Sequence, residues 1–130
     1  MEVRVLSRNN IRDEILHLMR VEIKTKKIHS LPIGFYDTVR KILDEYESEK
    51  KKALENRDIE TYLSTNKDEN TLKNDFRWFL QKRWEKLAAY APYDVDQETL
   101  SVLSNPEKAA ILEFKAVYSK YLAQFLGGEQ

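Results

Sequence analysis

The sequence has no cysteine and few of the residues that interrupt helices, with three glycines and three prolines among 130 residues. The absence of cysteine excludes disulfide bridges and thiolate metal sites. The shortage of Gly and Pro, together with 34% charged and 42% apolar residues, is typical of a mostly α-helical protein. A chain of this length can bury one sizeable core, so we expect a single all-α domain.

The sequence also lacks an excess of either charge and any long apolar run. Lys plus Arg and Asp plus Glu both total 22, which gives a formal net charge of zero. Proteins that hold nucleic acid mainly through phosphates usually carry a basic excess, so a histone-like role is excluded, although local basic patches are not. No run approaches the length of a transmembrane helix, and residues 1–10 lack the apolar core of a signal peptide. We therefore expect a soluble, cytoplasmic protein.

The stretch 70–91 is amphipathic throughout and predicts the central helix of the fold. Successive residues of a helix are rotated by about 100°, which places its apolar side chains on one face. These are Leu72, Phe76, Phe79, Leu80, Trp84, Leu87 and Ala91. Arg83 lies within this apolar face, where a buried charge needs a carboxylate or carbonyl partner. Trp78 projects from the opposite, polar face and presents a large apolar surface.

Three further amphipathic helices complete a predicted bundle of four main helices. Asn10 caps the first helix, whose inner face continues to Glu22, and we expect Glu22 to pair with Arg83. Pro32 opens the second helix, and Ser104, followed three residues later by Glu, opens the last. The apolar faces are Ile11, Ile15, Leu18 and Met19 in the first helix, Phe35, Tyr36, Val39, Ile42, Leu43, Tyr46, Ala53 and Leu54 in the second, and Ala110, Ile111, Phe114, Val117, Tyr118, Tyr121, Leu122 and Phe125 in the last.

The segments between the helices are expected to be short or modest, with one exception. Residues 56–70 carry only a weak pattern and predict a long connection with one anchored turn. Residues 47–52, ESEKKK, predict a solvated extension of the second helix beyond the core. A short helix is expected within 93–103, with Asp94 or Asp96 as its cap. Residues 2–6 alternate between polar and apolar and predict a short strand or an extended segment.

Side chains arranged for catalysis or metal binding are scarce. His17 and His29 are the only histidines, and a zinc site needs more ligands than they supply. The acidic residues of the segment 44–49 point in different directions on a helix and are expected to be solvated. The sequence contains no glycine-rich phosphate loop, nucleophile elbow or HExxH motif. We predict a protein that is not an enzyme and has no metal or cofactor.

Basic and aromatic residues are interleaved along the central helix, a pattern also found in nucleic-acid-binding segments. The residues concerned are Lys73, Arg77, Lys82 and Arg83, with Phe76, Trp78 and Phe79 between them. Most of these aromatic side chains lie on the core face, so core packing is the preferred interpretation. The basic segments 24–27 and 50–52 can still contact a phosphate backbone weakly. An unrelated helical adaptor or regulator that binds nucleic acid through these segments is the alternative function.

The order of these features resembles the archaeal GINS subunit family, in particular its larger subunit type. The resemblance begins at Leu31-Pro32-Ile33-Gly34-Phe35-Tyr36, which is similar to that family's LPxxFY helix opening. It ends with the helix 104–125, which starts with Ser-x-x-Glu, and so spans most of the chain. The matching positions of the central helix are Asn74, Arg77, Leu80, Arg83, Lys86 and Leu87.

The resemblance implies a helical A domain over residues 1–126 that assembles with similar subunits into a homo- or heterotetramer. In that family the tetramer is a non-catalytic part of the DNA replication machinery, which links the MCM helicase ring to a RecJ-like protein. The family's β-rich B domain is expected to be absent, with residues 127–130 as the start of a linker or tail. We further expect association with the nucleoid, no contact with membranes because the chain lacks a net basic charge, and weak or indirect contact with DNA.

Aromatic side chains outside the core faces are the predicted contact sites. Trp78 is the first candidate, followed by Tyr62, Tyr90 and Tyr93, because Trp and Tyr are favoured anchors of protein interfaces. For each tyrosine the alternative, in which the ring only covers the edge of the core, remains open. The residues assigned to the family motif or to its structural support are Leu31, Pro32, Phe35, Tyr36, Arg77, Arg83 and Glu22.

Overall fold

A computed structural model describes residues 6–127, and all regular secondary structure within that range is helical. The helices are α1 (Ile11–Lys24), α2 (Phe35–Glu55), α3 (Ile59–Ala89), α4 (Gln97–Ser101) and α5 (Asn105–Leu126). The predicted all-α helical bundle is confirmed. Residues 2–5 of the predicted strand and residues 128–130 of the predicted tail lie outside the described residues. Across the part of the chain that is described, every helix is too short or too polar to span a membrane.

The described chain divides into two compact units, and α1 and α3 contribute residues to both. The first unit comprises residues 6–19 and 32–79, and the second comprises residues 20–31 and 80–127. Each unit has its own buried core, described separately below. The assignment of residues 1–126 to one A domain stays a prediction.

The core of the first unit is organised by aromatic rings from α2 and α3. The ring of Phe35 meets that of Phe79 edge-on, with centroids 5.5 Å apart, and that of Phe76 at 6.2 Å. Tyr36 packs against Phe35 and Phe76 at the margin of this cluster. Such edge-to-face pairs add favourable energy to the burial of the rings. The Phe-Tyr pair of the LPxxFY segment is therefore part of the core. The remaining buried apolar side chains of this unit are Ile11, Ile15, Leu18, Met19, Val39, Ile42, Tyr46, Ala53 and Leu72.

The start of α2 differs from the prediction by three residues. Pro32 lies before the helix, where its carbonyl accepts a hydrogen bond from the Phe35 N–H at 3.0 Å. Gly34 occupies the N-cap position with a φ of 68°, a left-handed conformation that glycine adopts without a Cβ clash. The Pro-x-Gly sequence thus forms a turn that leads into the helix, and the first helical residue is Phe35.

The long connection predicted for residues 56–70 is wrong, because α3 already begins at Ile59. Only three residues, 56–58, separate α2 from α3. The apolar pattern does not indicate the first turns of α3, because their inner positions are polar. Thr65 and Glu69 are buried there, at the helical spacing that continues to Leu72. An apolar-face pattern does not detect a helix whose packed face carries a hydroxyl and a carboxylate.

The turn between α2 and α3 satisfies the ends of both helices. The Arg57 N–H donates to the Leu54 carbonyl at 3.1 Å and the Asp58 N–H to the Ala53 carbonyl at 2.8 Å, the pattern of a Schellman motif. Arg57 has a φ of 56°, where glycine is the usual residue. The Asp58 carboxylate then accepts hydrogen bonds from the N–H and hydroxyl of Thr61, which also lower the pKa of Asp58.

The second unit has a separate apolar core around the end of α3 and the start of α5. Its buried members are Ile28, Leu87, Leu103 and Ile111, and Trp84, Tyr90, Val95, Leu100, Val102 and Phe114 pack against them. The predicted cap Asp96 accepts a hydrogen bond from the Thr99 N–H at 2.7 Å and starts α4. Ser104 forms the predicted capping box at the start of α5, and Gly127 ends that helix with a φ of 70°.

Candidate protein-interaction site

A network of buried charges joins the end of α1, the end of α3 and the start of α5 within the second unit. Nη1 of the fully buried Arg83 lies 3.0 Å from Oε1 of Glu22 and 2.7 Å from the His29 carbonyl oxygen. Nε and Nη2 of Arg83 bind the carboxylate of Glu107, and Nζ of Lys86 lies 2.7 Å from Oε2 of Glu22. The predicted Glu22–Arg83 pair is therefore present, within a network of two cations and two carboxylates.

Glu107 is a member of this network that the sequence analysis did not assign to Arg83. Its Oε1 accepts a hydrogen bond from the Ser104 N–H at 2.9 Å, while both of its oxygens contact Arg83. The capping-box spacing identified the first role. Nothing local in the sequence indicates the second, because Arg83 and Glu107 approach only when α5 packs beside α3. The shared carboxylate holds the first turn of α5 in a defined position.

The distal half of α5 presents its apolar face to solvent. The face is continuous: Ala110 and Ile111 are buried and Phe114 packs on Trp84, but beyond Phe114 the same side of the helix is exposed. The exposed members, which we call the α5 apolar face, are Val117, Tyr118, Tyr121, Leu122, Phe125 and Leu126. The exposed fraction reaches 86% for Phe125. Contiguous exposed apolar surface of this kind marks interaction sites in soluble proteins.

The prediction that Val117, Tyr118, Tyr121, Leu122 and Phe125 belong to the core is therefore wrong for the described chain. Their spacing is that of a buried helix face, and the inner positions Ala110 and Ile111 near the start of α5 are buried as the pattern predicts. Helical periodicity shows that a face is apolar, but it cannot show whether the covering surface comes from the same chain. The apolar pattern beyond Phe114 is thus also typical of an interface, although the sequence alone favoured core packing for these residues.

The four predicted interface aromatics occupy different environments. In the first unit Trp78 is 53% exposed, on the outer side of α3, while Tyr62 is half-buried with Nζ of Lys50 6.0 Å from its ring centre. In the second unit Tyr90 packs against the apolar core and Tyr93 is 66% exposed. Tyr90 and Tyr93 line one groove. Trp78 and Tyr93 thus have the exposure that contact requires, and Tyr90 covers the edge of the core.

The residues of the predicted family motif divide between core and surface. Phe35, Glu22 and Arg83 are buried, whereas Arg77 is exposed on α3. The half-buried members are Leu31, Pro32 and Tyr36.

The two basic segments also differ from one another. Lys50 is not part of a solvated extension: its Nζ lies 2.7 Å from Oε1 of the buried Glu69 and 3.1 Å from Oε1 of Glu47. The hydrogen bond to Glu69 raises the pKa of Lys50. The prediction for residues 47–52 is wrong on this point, since α2 remains packed as far as Ala53. Lys24, Lys26, Lys27, Lys51 and Lys52 are exposed.

The histidines have ordinary structural surroundings. His17 is exposed, and Nε2 of the half-buried His29 lies 2.7 Å from the Thr25 hydroxyl. Within residues 6–127, His, Asp and Glu side chains form no group of three or more that could hold a metal ion. The most distinctive features of the described surface are thus apolar and aromatic.

The fold and this surface define a class, an all-α helical protein with an uncovered apolar helix face. Comparison with protein families, curated proteins and solved structures finds no match to this chain.

Proposed function

We propose that this chain is a non-catalytic scaffold subunit of GINS type, which acts in DNA replication by binding other proteins. In this proposal it forms a tetramer with copies of itself or with related subunits and links an archaeal MCM helicase to a RecJ-like protein at the nucleoid. The LPxxFY segment and the Ser-x-x-Glu helix start support the proposal through the resemblance. Both belong to local structures of the described chain, the aromatic core and the cap of α5.

The observation that carries the proposal is the α5 apolar face. Burying an exposed apolar surface contributes about 25 cal/mol per Å² removed from water, so leaving six large side chains uncovered forgoes several kcal/mol. The same stripe is covered by the second unit's own core as far as Phe114. A partner that continues this covering along the last turns of α5 completes the helix packing. Tyr118, Tyr121 and Phe125 are the kind of side chain that anchors interfaces.

The test is assembly measured with and without an intact α5 apolar face. We expect the purified chain, alone or mixed with a candidate second GINS subunit, to sediment as a tetramer. The double variant Val117→Asp/Phe125→Asp should shift it to smaller species, because each substitution places a charge in the contact. Circular dichroism should be unchanged, since both side chains are more than half exposed.

The matched control is Ala109→Asp/Ala116→Asp, which adds the same charge to exposed positions on the opposite side of the same helix. This control should assemble as the wild type does. Equal assembly of both double variants would contradict the assignment of the α5 apolar face as the contact.

The exposed lysines of residues 24–27 support the alternative, a helical adaptor that contacts nucleic acid. Its signature is binding to duplex DNA that weakens steeply with salt, because each phosphate contact releases a counterion. The scaffold proposal instead predicts stable assembly with little DNA affinity at physiological salt. Fluorescence anisotropy with a labelled duplex, across a salt series, separates the two functions.

A further inference from the structure

A groove in the second unit lies outside the α5 apolar face, which is the surface that carries the assembly proposed above. It has a volume of about 600 Å³ and is bordered by the end of α1, the end of α3 and the turn after α3. This volume is in the range of sites that hold a small ligand or a few side chains. Its apolar surface includes Ile23, Ala89, Tyr90 and Tyr93, of which Ile23 and Tyr93 are more than half exposed.

The groove is formed by side chains and backbone that are held in place. Nζ of Lys86 bridges Oε2 of Glu22 at 2.7 Å and the Lys27 carbonyl oxygen at 2.8 Å, which ties α3 to the segment that follows α1. The backbone at Tyr93 is held by a hydrogen bond from Lys115 of α5 to its carbonyl oxygen. The backbone on both sides of the groove is therefore held before a ligand binds, which lowers the entropic cost of association.

The charge of the groove favours an anionic ligand. Glu22 and Lys86 belong to the buried network, in which Arg83 and Lys86 balance Glu22 and Glu107. The charged side chains that remain along the groove are Lys26, Lys82 and Glu85. Two further exposed lysines, Lys24 and Lys27, adjoin Lys26 in the chain. The basic excess next to an apolar surface complements a ligand that carries both carboxylates and an apolar side chain.

We propose that this groove binds an acidic segment of a partner protein, with an apolar side chain of that segment seated against Ile23, Tyr90 and Tyr93. Carboxylates on either side of the anchor pair with Lys26 and Lys82. A peptide fits better than a nucleic acid strand, because a peptide can place its carboxylates only beside Lys26 and Lys82, whereas the phosphates of a strand recur at every nucleotide and also meet Glu85. Binding of such an acidic segment would add a second contact to the proposed scaffold, and the proposal for the groove does not depend on the scaffold function.

The experiment selects peptides from a displayed library of random dodecamers against the complete chain and then measures one enriched peptide by fluorescence anisotropy. We expect the enriched peptides to share an apolar anchor flanked by Asp or Glu. The variant Lys26→Glu/Lys82→Glu should weaken binding about tenfold or more, since attraction becomes repulsion. Tyr93→Ala should also weaken it, and amide resonances of the groove residues should shift when the peptide is added.

The matched control is Lys51→Glu/Lys120→Glu, which makes the same charge change at exposed lysines that do not line the groove. It should leave the peptide affinity within about twofold of the wild type. Enriched peptides without acidic residues would overturn the proposal, as would equal losses in both double variants or shifted resonances outside the groove. Stronger binding of an oligo-dT strand than of the peptide would assign the groove to nucleic acid instead. Sedimentation of the chain is unaffected in each case, so failure here is distinct from failure of the scaffold proposal.

Discussion

At the residue scale, Arg83 determines how the second unit is put together. A guanidinium offers five donors in a planar fork, and here it binds two carboxylates and a backbone carbonyl from segments that are distant in sequence. Burying an ion pair is a weak source of net stability compared with a well-packed apolar core. The network instead specifies how the three segments pack together, because other arrangements of these segments leave a buried charge unpaired.

Replacing Arg83 should therefore be severe. We expect Arg83→Met to lower the free energy of unfolding by about 3–5 kcal/mol, because Glu22 and Glu107 stay buried without their main partner. Urea denaturation followed by circular dichroism measures this loss. In a double-mutant cycle, Glu22→Gln should cost less in the Arg83→Met background than in the wild type, with a coupling of about 1 kcal/mol or more. Additive effects would show that the two side chains do not depend on each other.

The pair between Arg8 and Glu49 in the first unit predicts a pH dependence. Nη2 of Arg8 lies 2.6 Å from Oε2 of Glu49, and this hydrogen bond lowers the pKa of Glu49 below its usual 4.5. The unfolded chain then takes up the proton more readily than the folded one. The contribution of the pair is present above the usual pKa and is lost as the pH falls through the lowered value.

Removing Arg8 should make stability less sensitive to acid. Arg8→Gln should destabilise the chain by less than about 1 kcal/mol from this pair at pH 7, because the pair is partly exposed and screened. The difference from the wild type should shrink as the pH is lowered from about 5 to about 3, which denaturation at a series of pH values detects. A pH-independent remainder is expected from the lost contact with the Tyr46 ring, 4.3 Å from the Arg8 guanidinium. Arg40→Gln, at an exposed arginine, is the control and should show no such trend.

At the element scale, the hairpin of α2 and α3 shows how a polar contact replaces an apolar one. Nζ of Lys50 in α2 pairs with Oε1 of Glu69 in α3, which offsets part of the cost of burying the Glu69 carboxylate, although its Oε2 has no hydrogen-bond partner among residues 6–127. Only a turn of three residues separates the two helices. The same turn places Arg57 in a left-handed conformation, which costs a residue with a Cβ about 1–2 kcal/mol.

Arg57→Gly should therefore stabilise the hairpin. Glycine removes the steric cost at this φ but increases the entropy of the unfolded chain, so we expect a net gain of about 0.5–1 kcal/mol. Thermal and urea denaturation measure the change. Arg57→Ala is the matched variant that removes the charge and keeps the Cβ, and it should be close to neutral. Destabilisation by glycine would mean that the Arg57 side chain makes a contact that outweighs its backbone strain.

At the scale of the whole molecule, the two units each leave a large apolar group exposed. In the second unit these groups include the α5 apolar face, and in the first they include Trp78. A formal net charge of zero leaves little long-range repulsion between copies of the chain. These exposed apolar groups are the surfaces on which the proposed scaffold function depends.

Trp78→Ala should shift the protein toward monomer in sedimentation while leaving its helix content intact. The indole is more than half exposed, so its removal costs the isolated chain little and a partner contact much. Lys67→Ala, at an exposed position about three turns earlier on α3, is the control and should assemble normally. Unchanged assembly of Trp78→Ala would assign the indole to the surface of the monomer alone.

Local chemistry by itself determined the helical class, the N-caps of α4 and α5, and the pairing of one buried charge. A capping box needs only Ser104 and Glu107 at the right spacing, and a left-handed helix end needs only Gly127. A few adjacent residues therefore determine both features. Arg83 on an apolar face required an acid, and Glu22 occupies the matching position on α1. These features depend on residues within one turn of each other, or on a buried charge that has few possible partners.

Only the tertiary structure decided where the packed surface stops. It buried Thr65 and Glu69 in place of a predicted loop, and it left Val117 and Phe125 in solvent in place of a predicted core. The physical reason is the same in both cases: burial depends on what another segment places opposite a helix face. Sequence periodicity describes one side of that contact, and the other side exists only once the chain has folded.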